Sequence, residues 1–240
     1  MGVCPNTGHI EAQLIVYDHA AEHTGQQWGR VHARRRRILS GYVDLASVES
    51  VLEIGCHGGE FLAGLGSPAT RRTGIDISRG LVERASGKPG VVAIRADVSA
   101  GIPVRNAAVS LVVMTEVIEH IIDTDALLDE IHRVLAPGGY LLISTPNIRS
   151  LKNRLLLLKG GYPNGPEFRA GGAGHVRVYS DAMLARQLEE RGFQVVLRCG
   201  LNFIPDCVLR ATPMLEGLDR YLAAGAASLC SNIHIVARKA

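Results

Sequence analysis

Five short runs dense in Val, Ile and Leu, each separated from the next by a longer polar stretch, set the architecture of this chain before any motif is considered. They are SVLEIG, RTGIDI, VVAIRA, VSLVVMT and GYLLIST, starting at residues 50, 72, 91, 109 and 139. Runs with so few polar positions suit strands buried on both faces. Their alternation with helical segments points to a parallel sheet covered by helices. Between the fourth and fifth runs the spacing predicts a helix capped near Asp123 and Thr124. Leu127, Leu128, Ile131, Val134 and Leu135 form its apolar face, and Pro137, Gly138 and Gly139 stop it. A second helix starts at Ser180, runs through Leu184 and Leu188 and ends at Gly192; FQVVLRC and NIHIVARK then read as a sixth and a seventh strand.

The 240 residues, 47% hydrophobic and 20% charged, suffice for one domain with a sizeable core and exclude a disordered chain. We expect an N-terminal helical segment over 1–47, then a catalytic α/β domain over 48–240 with a Gly- and Pro-rich lid insertion at 147–178. Residues 26–39 suit a helix carrying Arg34, Arg35, Arg36 and Arg37. Neighbours on a helix step about 100° around it, so the four arginines read as a solvated face. A net charge of +3 neither demands nor excludes a phosphate-rich partner. Cys4, Cys56, Cys199, Cys207 and Cys230 are odd in number and contain no Cys-x-x-Cys pair, which argues against a disulfide frame or a structural zinc. With no leader-like start and no apolar run of about 20 residues, the expected compartment is the cytoplasm.

The first strand runs into a glycine loop, VLEIGCHGGEFL, at 51–62. The dinucleotide spacing G-x-G-x-x-G would fall on Gly55, His57 and Glu60, so one position in three fits and a nicotinamide reading is poor. Glu53, inside a buried strand, needs a reason to be there, and a cationic ligand group would supply one. Asp76 ends the second strand, where a carboxylate can accept hydrogen bonds from ribose hydroxyls, and Asp97 follows the third. Each alone reads as a cap or loop residue. Three carboxylates at three successive strand ends point to the ligand-binding edge of an open α/β sheet.

VLEIGCHGGEF, GIDIS, RADV, VVMTEVIEH and VLAPGGYLLISTPN, in this order over about residues 48–200, resemble the class I S-adenosylmethionine-dependent methyltransferases. The resemblance implies a Rossmann-like, seven-stranded, mostly parallel sheet with a reversed last strand and helices on both faces. It implies S-adenosylmethionine as cofactor. Glu53, Gly55, Cys56 and Gly59 would hold its methionine end and Asp76 its ribose; Ile77 would pack on the adenine and Asp97 with Val98 would meet the adenine edge. Thr115 and Glu116 would lie beside the sulfonium. His57 departs from the family's usual glycine, and histidine is among the residues that tolerate a positive φ.

In EVIEH, a helical turn would bring Glu116, Glu119 and His120 together at i, i+3 and i+4. His175, at the end of the lid, is a fourth candidate. The segment resembles those of quinone-pathway and small-RNA O-methyltransferases, so Glu116, Glu119, His120 and His175 are the metal ligands if a divalent ion is used, which is not the expectation. Without metal, His120, His175 and Glu119 are the candidate catalytic residues. The expected reaction is methyl transfer to an oxygen, less readily a nitrogen, of a small-molecule acceptor, possible acceptors being apolar or lipid-like. The alternatives are an RNA 2′-O-methyltransferase with metal, against which the absence of an RNA-binding module and of a basic bias counts, and a binding protein of the same fold.

Overall fold

Strand β1 (Ser50–Ile54) is buried at all five positions because it lies inside the sheet, with β2 (Arg71–Asp76) parallel on one side and β4 (Val109–Thr115) parallel on the other. The computed structural model describes residues 29–163, 175–204 and 206–240. Among them β3 (Val91–Arg95), β5 (Leu135–Pro146), β6 (Phe193–Leu201) and β7 (Asn232–Lys239) complete a seven-stranded sheet of order β3-β2-β1-β4-β5-β7-β6. β7 runs antiparallel to β5 and β6, so the last strand is the reversed one. Strand order reverses between β1 and β4, which opens a crevice at their carboxyl ends, where ligands of such sheets bind.

Alternate residues of the central strands feed two cores, one on each face. Leu52, Ile54, Val112, Met114, Leu141 and Ile143 face α3 (Thr124–Val134) and α5 (Asp181–Glu190). Val51, Leu111, Val113 and Leu142 face Phe61, Leu62 and Leu39 of α1 (Gly29–Ser40). Asp123 caps α3 by accepting the Ala126 N–H, and Leu127, Leu128, Ile131 and Val134 are at most 1% exposed. Each such buried side chain contributes roughly 1.5–3 kcal/mol. α2 (Arg79–Ser86) is capped by Ser78 and seals β2 and β3 with Leu81 and Ala85. Among the described residues no helix is long and apolar enough to cross a membrane.

Two local expectations change. Helix α3 ends at Val134, and Leu135 is already extended and paired with Val109, so Pro137, Gly138 and Gly139 form an irregularity within β5. Gly138 has φ +73°, and a side chain on Gly139 would meet the Ala136 and Ser110 carbonyl oxygens at 2.9 and 3.0 Å. These residues serve the strand, not a helix stop. Of the helix expected at 26–39, residues 29–39 lie in α1, and 26–28 fall outside the described residues. Of the stretch at 147–178, α4 (Leu151–Leu158) and the return from His175 are described, whereas 164–174 lie outside.

Candidate active site

β1 ends in a loop whose backbone turns by three positive φ angles, +69° at Gly55, +50° at His57 and +76° at Gly59. A Cβ on Gly55 would stand 2.4 Å from Val117 Cγ2, so glycine is required there for space as well as conformation. His57 accepts the left-handed conformation, and its N–H donates to Asp76 Oδ2 at 2.9 Å. The other oxygen of Asp76 accepts the Ser78 N–H at 3.0 Å. Asp76 therefore ties the loop after β1 to the start of α2. Burial raises its carboxyl above the ordinary value despite these bonds.

The loop, the tips of β2 and β4 and one face of α1 enclose a cavity of about 360 Å³. That size lies within the roughly 300–1,000 Å³ of small-molecule sites. Glu53, Gly55, Cys56, Asp76, Ile77, Asp97, Val98, Thr115 and Glu116 all line it. Gly59 does not; its Cα stands behind the wall, where a Cβ would touch Ala85 at 3.1 Å. Asp97 also accepts hydrogen bonds from the Ser99 N–H and hydroxyl, so it caps its own turn while facing the cavity. Glu53 is 3% exposed, and its Oε2 is buried without a hydrogen-bond donor among the described residues. Desolvation pushes its carboxyl up to about 8, with Arg35 opposing. A buried carboxylate oxygen with no donor, at the wall of a cavity, fits a cationic ligand group.

The helical turn expected at 116–120 is not formed. Glu116 takes φ +57°, and a single 3-10 turn, Ile118–His120, follows. The Glu116 carboxylate is held by other partners. Its Oε1 accepts the Ser144 hydroxyl at 2.7 Å and lies 3.5 Å from Arg35 Nη2, while Oε2 accepts the Asn232 amide at 3.0 Å. Glu116 is therefore not in the group of possible metal ligands. That group is Glu119, His120 and His175, whose ligand atoms lie within 4.8 Å of one another. Glu119 Oε2 accepts the Thr145 hydroxyl at 3.0 Å, and its Oε1 lies 3.9 Å from His175 Nε2. The return of the chain is tied down by the Glu119 carbonyl, which accepts the Val176 and Arg177 N–H groups. Burial, reinforced by Glu116, raises the Glu119 carboxyl, and burial lowers the His175 imidazole. Of the three, His120 lines the cavity.

The arginine run holds residues that the sequence reading missed. Arg35 is 4% exposed rather than solvated, and its Nε and Nη2 lie within 3.5 Å of His234 Nε2, Glu116 Oε1 and Ser144 Oγ. Its Nη1 makes no hydrogen bond among the described residues. Arg34 pairs with buried Asp219 at 3.2 Å and Arg30 with Glu216 at 3.4 Å. His32, one turn before Arg35, stacks at an angle on Phe61 with centroids 5.0 Å apart; burial, with Arg35 next, lowers its imidazole to about 4. His32 and Arg35 thus bring one face of α1 to the cavity. The available signal was the polar Asn232 and His234 inside the apolar strand NIHIV, which called for a buried partner.

A family model described as a methyltransferase domain matches residues 18–198. The chain belongs to the class I S-adenosylmethionine-dependent methyltransferase family. The cofactor that goes with membership is S-adenosylmethionine, and the cavity offers the carboxylates and glycine loop that such a ligand needs. A probable S-adenosylmethionine-dependent methyltransferase from Mycolicibacterium smegmatis is 34% identical over 146 residues, covering 60% of this chain and 52% of the relative. The match to this relative thus spans about half of its length. Among solved structures, an S-adenosylmethionine-dependent methyltransferase from Mesorhizobium loti superposes with a TM-score of 0.57 at 20% identity, covering 84% of this chain and 96% of that one. A [4+2]-cyclase superposes with a TM-score of 0.62 at 17% identity, covering 97% and 94%. These two likenesses establish the fold, and the cyclase shows that the fold alone does not name a reaction.

Proposed function

We propose that this chain transfers the methyl group of S-adenosylmethionine to an oxygen of a small-molecule acceptor, with Glu119, His120 and His175 removing the acceptor proton. The observation that carries the reading is the convergence of these three groups within 4.8 Å beside a cavity that His120 lines. In this reading Glu53, Gly55 and Cys56 hold the methionine end, with Gly59 turning the loop behind them, Asp76 holds the ribose, and Ile77, Asp97 and Val98 the adenine. Thr115 and Glu116 lie on the reactive side. Glu53 suits the α-ammonium group, because its Oε2 has no other donor among the described residues. Arg35 suits the α-carboxylate, having a guanidinium edge left over from its bonds to Glu116, Ser144 and His234.

Bound S-adenosylmethionine supplies an already activated methyl group on a sulfonium. The protein's task is to align an acceptor oxygen, exclude water and take a proton. His175, kept below its ordinary value by burial, is neutral at pH 7 and free to accept that proton. The Glu119 carboxylate, 3.9 Å from its Nε2, would stabilise the imidazolium formed. The segment 147–178 acts as the lid over the acceptor, which is apolar or lipid-like. A reducing, cytoplasmic compartment belongs to the same proposal, with Cys56, Cys199 and Cys230 free thiols. His120→Ala and His175→Ala should each lower kcat by about 10²-fold, within the usual range for general-base loss, while the S-adenosylmethionine Kd stays within about three-fold. Unchanged turnover in both variants would mean that positioning alone drives the reaction.

A second reading uses the same three residues as ligands for a divalent ion, favoured by Glu119 Oε1, which has no hydrogen-bond donor among the described residues. Activity abolished by chelator and restored by Mg²⁺ or Zn²⁺ would select it. An RNA acceptor fits less well, because Arg30, Arg34 and Arg35 are taken up by Glu216, Asp219 and Glu116. A gel shift with short RNA that is strongly salt-sensitive would revive it.

A further inference from the structure

Helix α4 (Leu151–Leu158) follows β5 and is held to the fold by Asn153, 4% exposed, whose amide donates to the Asn147 carbonyl at 3.2 Å. With about 100° per residue, the opposite face of the helix carries Leu151, Leu155 and Leu158, at i, i+4 and i+7. They are 38%, 48% and 83% exposed, and Tyr162 just beyond the helix is 61% exposed. An outward ridge of leucines is an unfavourable surface in water and marks a contact.

The charges beside the ridge say with what. Lys152 and Lys159 flank it on one side and Arg154 on the other, with Arg149 at the entry to the helix, and residues 147–163 contain no Asp or Glu. The Lys152 and Lys159 side chains make no hydrogen bond or ion pair among the described residues. Arg149, half exposed, lies 3.7 Å from the partly buried Asp181 carboxylate. A second copy of the chain packed face to face would set these four cations against four more. Leucines flanked by unpaired lysines match instead the interface of a bilayer with anionic headgroups, where apolar side chains enter the acyl boundary and basic stems extend to the phosphates.

We propose that α4 is a peripheral membrane contact, its leucine ridge entering an anionic lipid surface while Lys152, Arg154 and Lys159 meet the headgroups. The contact lies immediately after β5, beside the carboxyl edge of the sheet, and needs no assumption about the acceptor. The test is sedimentation of the full chain with vesicles of phosphatidylcholine alone or mixed with phosphatidylglycerol. Binding to the mixed vesicles should be at least about ten-fold stronger and should weaken with salt. The double substitution Leu155→Asp with Leu158→Asp should abolish it, and Lys152→Glu with Lys159→Glu should lower it at least about ten-fold, with melting temperature unchanged in both. Equal partition to both vesicle types, or wild-type binding by the leucine variant, would overturn the proposal. Concentration-dependent dimerisation lost in the leucine variant would overturn it too, because a second copy would then cover the ridge.

Discussion

The cavity has two walls built on different principles. On the β1–β3 side, backbone turns and strand-end carboxylates form the surface: Gly55 and His57 turn the chain, and Asp76 links the His57 and Ser78 N–H groups. On the other side the wall is assembled from side chains far apart in sequence. Arg35 reaches Glu116 across 81 residues and His234 across 199, and Asn232 reaches Glu116 across 116. A wall made of backbone constrains which residue types can occupy each position. A wall of long-range side chains leaves no such local record.

The contrast can be broken first on the backbone side. Gly55→Ala places a methyl group 2.4 Å from Val117 Cγ2 at φ +69°. It should cost about 3 kcal/mol of stability and about 100-fold or more in S-adenosylmethionine affinity, read by thermal melting and calorimetry. A variant with near wild-type affinity would show that the loop is not the frame of the site. Arg35→Ala tests the other wall. It leaves the half-buried Glu116 without its cation, so affinity should fall about ten-fold with a moderate loss of stability. If affinity were unchanged and only the acceptor KM rose, Arg35 would belong to the acceptor and the two walls would serve different ligands.

A third prediction turns on pH. In the folded chain Glu53 stays protonated up to about 8, against an ordinary value of 4.5. Between those values the folded state binds the extra proton, so stability falls as pH rises through the interval. Glu53→Gln should remove that slope, making the variant more stable than wild type at pH 8 by on the order of 3 kcal/mol and nearly equal to it at pH 4. Its cofactor affinity should fall. Denaturant melts at the two pH values decide the point, and parallel slopes would show that Glu53 is already ionised in the folded chain. The smallest effect is expected for His57→Gly, because His57 already adopts φ +50° and its bond to Asp76 is made by the backbone. Affinity should change by less than about three-fold.

What was legible in the sequence follows the same division. The strand runs, the Asp123-capped helix and the line of carboxylates at the sheet edge are set within a few residues of chain, so pattern alone locates them, whereas the reversal of the last strand comes only from the family resemblance. Leu135 continues the apolar spacing of the helix, but its pairing with Val109 draws it into β5. Nothing adjacent to Glu116 in the sequence announces its left-handed backbone; Arg35, Ser144 and Asn232 surround the carboxylate in that conformation. Arg35 itself read as solvated because helical geometry spreads four arginines around an axis and leaves tertiary burial to choose among them. The juxtaposition of His175 with Glu119 depends on the chain returning at Val176 and Arg177, which spacing alone could not place.

The central claim is that the cavity between β1 and β4 takes S-adenosylmethionine with histidine in the glycine loop. Calorimetric titration of the unaltered chain, repeated with His57→Gly, tests it most directly. The structure predicts micromolar binding by both, with one site per chain. No binding by the unaltered chain, restored by the glycine variant, would contradict it and make His57 the residue that disables the loop.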